Sequence, residues 1–182
     1  VTLTIDLTES AILTVLRAFL IDVLPLAPES IVQGQDNRVS EPMAGDFIVF
    51  WPLNRMRLST NRETWDVLNP APSAMDRMQP TQVLVQLDVH GPNSTDNCQI
   101  ITTTFRSDYA TTFFAASGKE IQPLYADDGH QMPFINGEQQ YEDRWVIQAV
   151  LQANPIVSTP QQFADTLTVD LVEVDTTYPP GA

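Results

Sequence analysis

Val83-Leu-Val-Gln-Leu-Asp-Val-His-Gly-Pro-Asn-Ser-Thr-Asp-Asn-Cys98 admits two readings. It gathers two Asp, a His, a Ser, a Thr and the only Cys of the chain around a Gly-Pro turn, as a reactive corner would. It also carries the punctuation of a strand that stops and a helix that starts. Val83, Val85, Leu87 and Val89 alternate with Leu84, Gln86, Asp88 and His90, the period of a strand. Gly91-Pro92 ends that run. Asn93 or Ser94 can then accept a backbone N–H as an N-cap, and Asp96 suits the positive end of a helix. The second reading explains more of the stretch, so it is taken as a hinge of the fold.

Downstream, Cys98, Ile101, Phe105, Tyr109 and Phe113 recur at i+3 and i+4. That spacing predicts one helix to about Ala116, closed by Ser117-Gly118. Upstream, Thr8 is placed to cap a helix over residues 9–24, and Pro25 ends it. Its apolar stripe is Ala11, Ile12, Val15, Leu16, Phe19, Leu20 and Val23. Phe47 to Leu58 reads as a strand in which Pro52 marks an edge or a bulge. Thr64 to Leu68 is its expected partner across Ser59-Thr-Asn-Arg62, and residues 69–80 read as an irregular connection.

Ile121 to Tyr125 is a short strand, residues 127–137 carry turn residues throughout, and Tyr141 to Leu151 alternates as a long strand. Pro160 to Ala164 is assigned one helical turn. Leu167, Val169 and Leu171 alternate before the phase shifts to Val172 and Val174, as a bulge would produce. The expected fold is α+β: a mixed, mostly antiparallel sheet flanked by two main helices, with residues 51–79 as a protruding β arm. One domain covers residues 1–175, and residues 176–182 form a tail.

Composition narrows the function. With 43% apolar and 18% charged residues, the chain can bury a core. Its 23 acids against 9 bases give a net charge of −14, which argues against a nucleic-acid grip and an anionic membrane surface. No apolar run approaches the ~20 residues of a membrane span. Ala11 to Leu26 is interrupted by Arg17 and Asp22 and lacks the leader of a signal peptide. A single cysteine cannot form an internal disulfide, so a reducing interior is the simplest home.

Catalytic and metal sites find little support. Asp88 and His90 share a strand face, and a hydrolase would recruit Ser94 or Cys98 as nucleophile. The pattern G-x-S-x-G is absent, and Ser94 is better explained as a cap. His90, His130 and Cys98 have no zinc spacing. Asp127-Asp-Gly-His130 lacks the alternating acids and closing Glu of a calcium loop and reads as a solvated acidic turn. Phosphate-binding glycine motifs are missing. No catalytic, metal or cofactor residue is assigned.

The arginines say more. Four of eight fall between residues 55 and 77, beside Trp51, Met56, Trp65, Met75 and Met78. Arg, Trp and Met are enriched in protein interfaces, so Trp51, Arg55, Arg57, Arg62, Trp65 and Arg77 are the candidate subunit or partner interface. The alternative is a hairpin whose apolar side joins the core. Arg106 and Arg144 read as structural ion-pair partners.

Several phrases also carry a resemblance: Gln86-Leu-Asp-Val-His-Gly91, the run from Ser94 ending in Thr104-Phe-Arg-Ser-Asp-Tyr109, and Pro123-Leu-Tyr-Ala-Asp-Asp128. Gln131-Met-Pro-Phe-Ile-Asn-Gly137, Gln140-Tyr-Glu-Asp-Arg-Trp145 and Gln152-Ala-Asn-Pro155 continue it. Together they resemble the neck or tail terminator proteins of tailed bacteriophages. The resemblance implies a non-enzymatic virion protein without a cofactor, made in the host cytoplasm and built into the neck–tail junction. Such proteins form a ring, usually of six copies, that caps the completed tail tube and joins it to the head. The implied partners are further copies of the chain, the tail tube protein, a neck or connector protein and the sheath. DNA would pass through without specific binding, along a bore expected to be acidic, and no membrane is involved. A head-side connector or stopper, or a small intracellular hydrolase, are the alternatives.

Overall fold

The computed structural model describes residues 3–35, 45–66, 73–135, 141–161 and 168–169. Its first half runs β1 (Thr4–Ile5), α1 (Glu9–Val23), β2 (Ile31–Gln33), β3 (Phe47–Arg57), β4 (Arg62–Asp66), β5 (Ser73–Met78) and β6 (Thr81–His90). The second half runs α2 (Ser94–Thr104), α3 (Asp108–Ala116), β7 (Ile121–Ala126), β8 (His130–Gln131), β9 (Phe134–Ile135), β10 (Tyr141–Glu142), β11 (Arg144–Ala153) and β12 (Ile156–Gln161).

The alternation in β6 places it at the centre of the larger sheet, ordered β2-β3-β6-β11-β7 with β8 also along β11. Every pairing there is antiparallel except β2 with β3, so the sheet is mixed and mostly antiparallel. β6 pairs with β11 from Thr81↔Ala153 to His90↔Arg144, and with β3 from Thr81↔Arg57 to His90↔Phe47. One face carries Val83, Val85, Leu87, Val89, Ile147 and Leu151 into a core shared with α1, α2 and α3. Phe19 anchors that core, its ring 5.6 Å from Phe105 and 5.5 Å from Phe113 in edge contacts. Full burial of each such side chain stabilises by about 1.5–3 kcal/mol. The opposite face carries Trp51, Gln86, Asp88, His90, Arg144, Val146 and Gln148, and no helix of the core cluster lies on it.

A second sheet is ordered β1-β12-β5-β4, antiparallel throughout. It grows out of the first, because β11 leads through Asn154-Pro155 into β12. Two backbone bonds tie the junction: Leu58 N–H to Pro80 O at 2.9 Å and Gln79 N–H to Pro155 O at 3.1 Å.

Several expectations hold. Thr8 caps α1, its hydroxyl accepting the Ala11 N–H at 3.2 Å, and Ile12, Leu16, Phe19 and Leu20 are buried. The register of β3 shifts between Pro52 and Asn54, the bulge that Pro52 announces.

Others are corrected. The helix expected from Ser94 to Ala116 is two helices. Thr102 and Thr104 turn their hydroxyls back onto the carbonyls of Cys98 and Ile100, at 3.1 and 2.7 Å, which weakens the helix end. Ser107 then recaps, accepting from Ala110 N–H at 3.5 Å, with Asp108 in the first turn. β4 pairs not with β3 but with β5: β2 covers β3 only over Ile48–Phe50, and after Leu58, held to Pro80, the chain leaves the large sheet and enters the second one. Residues 73–78, read as part of an irregular connection, are β5: pairing with β4 and β12 on either side overrides the low strand propensity of Ser, Ala and Asp. Of the helical turn expected over residues 160–164, Pro160 and Gln161 belong to β12, opposite Ala74 and Ser73, and residues 162–164 lie outside the described residues. Asp143 divides the long strand expected from Tyr141, leaving β10 paired with β9. The alternation read over residues 167–174, except 168–169, and the tail lie outside the described residues.

Candidate functional site

The corner at the end of β6 is held by its own side chains. Asp88, buried, accepts from Gln86 Nε2 at 2.7 Å and forms an ion pair with Arg144. His90 is equally buried; its Nδ1 lies 2.9 Å from Glu142 Oε1, and its ring stacks on Phe47 at 4.4 Å. Both residues that a hydrolase would need as base and orienting acid are thus engaged in pairs on the helix-free sheet face. Ser94 is wholly buried, and its Oγ has no hydrogen-bond partner among the described residues. Cys98 is buried as well, and desolvation pushes its thiol up to about 11, which starves it of nucleophilic thiolate.

The turn itself is set by close approach. Gly91 adopts φ +103°, and a Cβ there would stand 2.5 Å from Asp46 Oδ1. Asp46 in turn receives the Asn93 backbone N–H at 2.8 Å and its side-chain amide at 2.7 Å. Asn93 occupies the N-cap position of α2, yet its side chain donates to Asp46 instead of accepting from the helix. The expected local cap is therefore corrected: a carboxylate from the residue just before β3 serves the helix entrance, across 47 residues of sequence. The acidic turn is as exposed as its composition suggests, with Asp127 and Asp128 at the surface. Gly129 beside them is required by packing, since a Cβ would collide with Cys98 Sγ and lie 3.3 Å from Trp145. Among the described residues no group of three or more His, Cys, Asp or Glu could hold a metal. No described helix is long and apolar enough to cross a membrane.

The six residues singled out as an interface divide into three places. Arg55, Arg57 and Arg77 converge on one cleft of about 310 Å³ at the junction of the two sheets, with Asn61, Gln79 and Thr81 beside them and Ile5, Pro155 and Val157 as its apolar lining. Arg55 reaches Glu9 of α1 at 3.4 Å, and Arg77 binds Glu63 at 3.0 Å and the Thr159 hydroxyl at 2.9 Å. Arg57 has no ion-pair partner among the described residues. Arg62 and Trp65 stand on β4, the outermost strand of the second sheet, and Trp65 is 52% exposed. Trp51 lies apart, half-buried on the helix-free face, where Gly34 lets it pack close: a Cβ at 34 would be 3.0 Å from its ring.

β1 and β12 wall the cleft through Ile5 and Val157, a role the sequence does not display. The β formers Ile156 and Val157 after Pro155 were a usable signal for β12; nothing local marks its pairing with residues 4–5. Of the two arginines assigned structural ion pairs, Arg144 has one with Asp88. Arg106 instead donates to the Ala126 carbonyl at 2.7 Å and covers the Tyr125 ring.

A fold of strands with helices on one face, whose catalytic-looking side chains are locked into pairs, directs attention to surfaces. The family model described as phage neck terminator protein matches residues 10–181. The chain belongs to that family. The match covers nearly the whole sequence, including every strand described here except β1 and nearly all of α1, α2 and α3, so the family assignment applies to the fold as a unit. No curated protein matches the chain. A neck terminator is a structural protein of the virion neck, which makes contacts with neighbouring proteins the chemistry to explain.

Proposed function

We propose that this neck terminator caps the head-proximal end of the tail tube as a homo-oligomeric ring of six copies and offers its other side to the neck or connector protein. The observation that carries the reading is the family match over residues 10–181. The second sheet supports it. That sheet carries Arg62 and an exposed Trp65 and meets the helix-packed body at a cleft lined by three arginines. Arg and Trp in such positions are what a protein interface uses. In this reading Trp51, Arg55, Arg57, Arg62, Trp65 and Arg77 contact a neighbouring copy or the tail tube protein, and the sheath is a further neighbour.

The chain acts without catalysis or cofactor. It is made in the host cytoplasm and ends in the virion. Six copies of a −14 chain make a strongly acidic ring. An acidic bore would let DNA pass without sticking, since adhesion needs clustered Lys and Arg. A bore lined by arginine contradicts that part.

Mass measured by light scattering tests the ring directly, with a species of six chains expected. Co-sedimentation with assembled tail tubes, compared with portal-side proteins, tests the junction. Retention by tubes supports a tail-end cap, and retention by the portal side alone overturns it in favour of a head-side connector.

A further inference from the structure

The cleft of Arg55, Arg57 and Arg77 has a feature that a structural role leaves unexplained. Three of the nine basic residues of an acidic chain face one cavity, and only two of them have carboxylate partners among the described residues. Those partners are weak neutralisers, because Glu9 and Glu63 side chains are 52% and 49% exposed and therefore largely screened. Arg57 adds a cation with nothing opposite it among the described residues. The apolar lining of Ile5, Pro155 and Val157 lowers the local dielectric, which strengthens any incoming charge pair. Such a cleft is built for a carboxylate, which guanidinium groups bind through paired hydrogen bonds.

A candidate carboxylate lies on the other side of the same sheet. In β3, Arg55 and Arg57 pair with Val83 and Thr81 and so project on the helix face, where Arg55 meets Glu9 of α1. Asp127 and Asp128 rim a second cleft with Gln86, Val146 and Gln148 of the helix-free face; His130 and Met132 also line it, as does Arg144, whose charge is met by its ion pair with Asp88. Neither aspartate side chain has a hydrogen bond or ion pair among the described residues. Cationic and anionic patches on opposite faces are complementary between copies and suit a head-to-tail contact, the kind that closes into rings.

Resting on the ring reading above, we infer that the Arg55–Arg57–Arg77 cleft of one copy receives the Asp127–Asp128 turn of the next. Duplex DNA, the other polyanion at hand, is disfavoured as occupant by the −14 charge of the whole chain.

The test is a charge exchange in the full chain, followed by light scattering against concentration. Arg57→Glu and Asp128→Arg are each expected to weaken association by about tenfold or more, and the double variant to recover most of the loss. Arg57→Gln, a milder change, is expected to fall between wild type and Arg57→Glu. Both positions are exposed, and thermal unfolding of each variant checks that the fold is kept. A ring whose mass and concentration dependence are the same in wild type and Arg57→Glu overturns this pairing and leaves the ring standing. Loss in the single variants without recovery in the double also overturns it. A wild type that stays monomeric overturns the ring and the pairing together. Retention of duplex DNA by wild type but not by Arg57→Glu would assign the cleft to phosphate instead.

Discussion

The two larger sheets of this neck terminator use their residues differently. In the larger one, β6 is paired along its whole length on both sides, and its inward face is sealed by three helices. In the smaller one, β4 has β5 on one side and no second neighbour among the described residues, and residues 62–65 are exposed. An open edge invites another chain unless charges blunt it, and Arg62 and Glu63 are placed to do that. The large sheet owes its stability to burial. The small one keeps polar groups and an indole at the surface, where a partner can reach them. Stability and assembly should therefore respond to mutations in different sheets.

The largest effect is expected in the buried layer. Phe19→Ala removes the ring that meets Phe105, Phe113 and Phe114, and should cost about 4 kcal/mol in urea unfolding. If the loss stayed near that of a surface substitution, the division between the sheets would fail. Asp88→Ala comes next. It takes a buried carboxylate away from the partly buried Arg144, and a loss of about 2 kcal/mol is expected. Asp88→Asn, which keeps a hydrogen-bond acceptor, should lose less.

Cys98 offers a smaller, pH-dependent effect. Its folded-state pKa is raised from the ordinary 9.0 to about 11, so below pH 9 both folded and unfolded chains hold the proton and stability is unaffected. Above that, the unfolded thiol ionises first, and stability declines until about pH 11, where the folded thiol also ionises. Comparing urea midpoints of wild type and Cys98→Ala across this window should show the wild type losing ground as pH rises. A constant difference would place the thiol in a more solvated site. Smallest in stability is Trp65→Ala, expected within about 0.5 kcal/mol of wild type. Its effect belongs to assembly, where association should weaken about tenfold if the indole is an anchor. Trp65→Ala chains that unfold readily, or that assemble unchanged, would each break the contrast.

What could be read from sequence follows the range of the interactions. Helix α1 was legible because its cap, stripe and terminating Pro25 all lie within one segment. β6 was legible because alternation over neighbouring residues survives in any partner arrangement. The break at Phe105–Ser107 was missed because the apolar i+3 and i+4 spacing runs across it, although three successive threonines and Ser107-Asp108 signalled it. β5 was missed for the opposite reason. Ser73-Ala-Met-Asp-Arg-Met78 has no local strand character and is ordered by β4 and by β12, some 80 residues away. The arginine cluster was visible as composition. Its division was not: Arg55, Arg57 and Arg77 meet only because β3 and β5 enter different sheets that touch at Pro80 and Pro155.

Electron microscopy of tail tubes assembled with the labelled chain reveals where this neck terminator sits. Label at one end of each tube, with tubes arrested in length and a six-fold ring in end views, is the predicted result. Label spread along the tube, or found on the portal while tubes continue to grow, would contradict it.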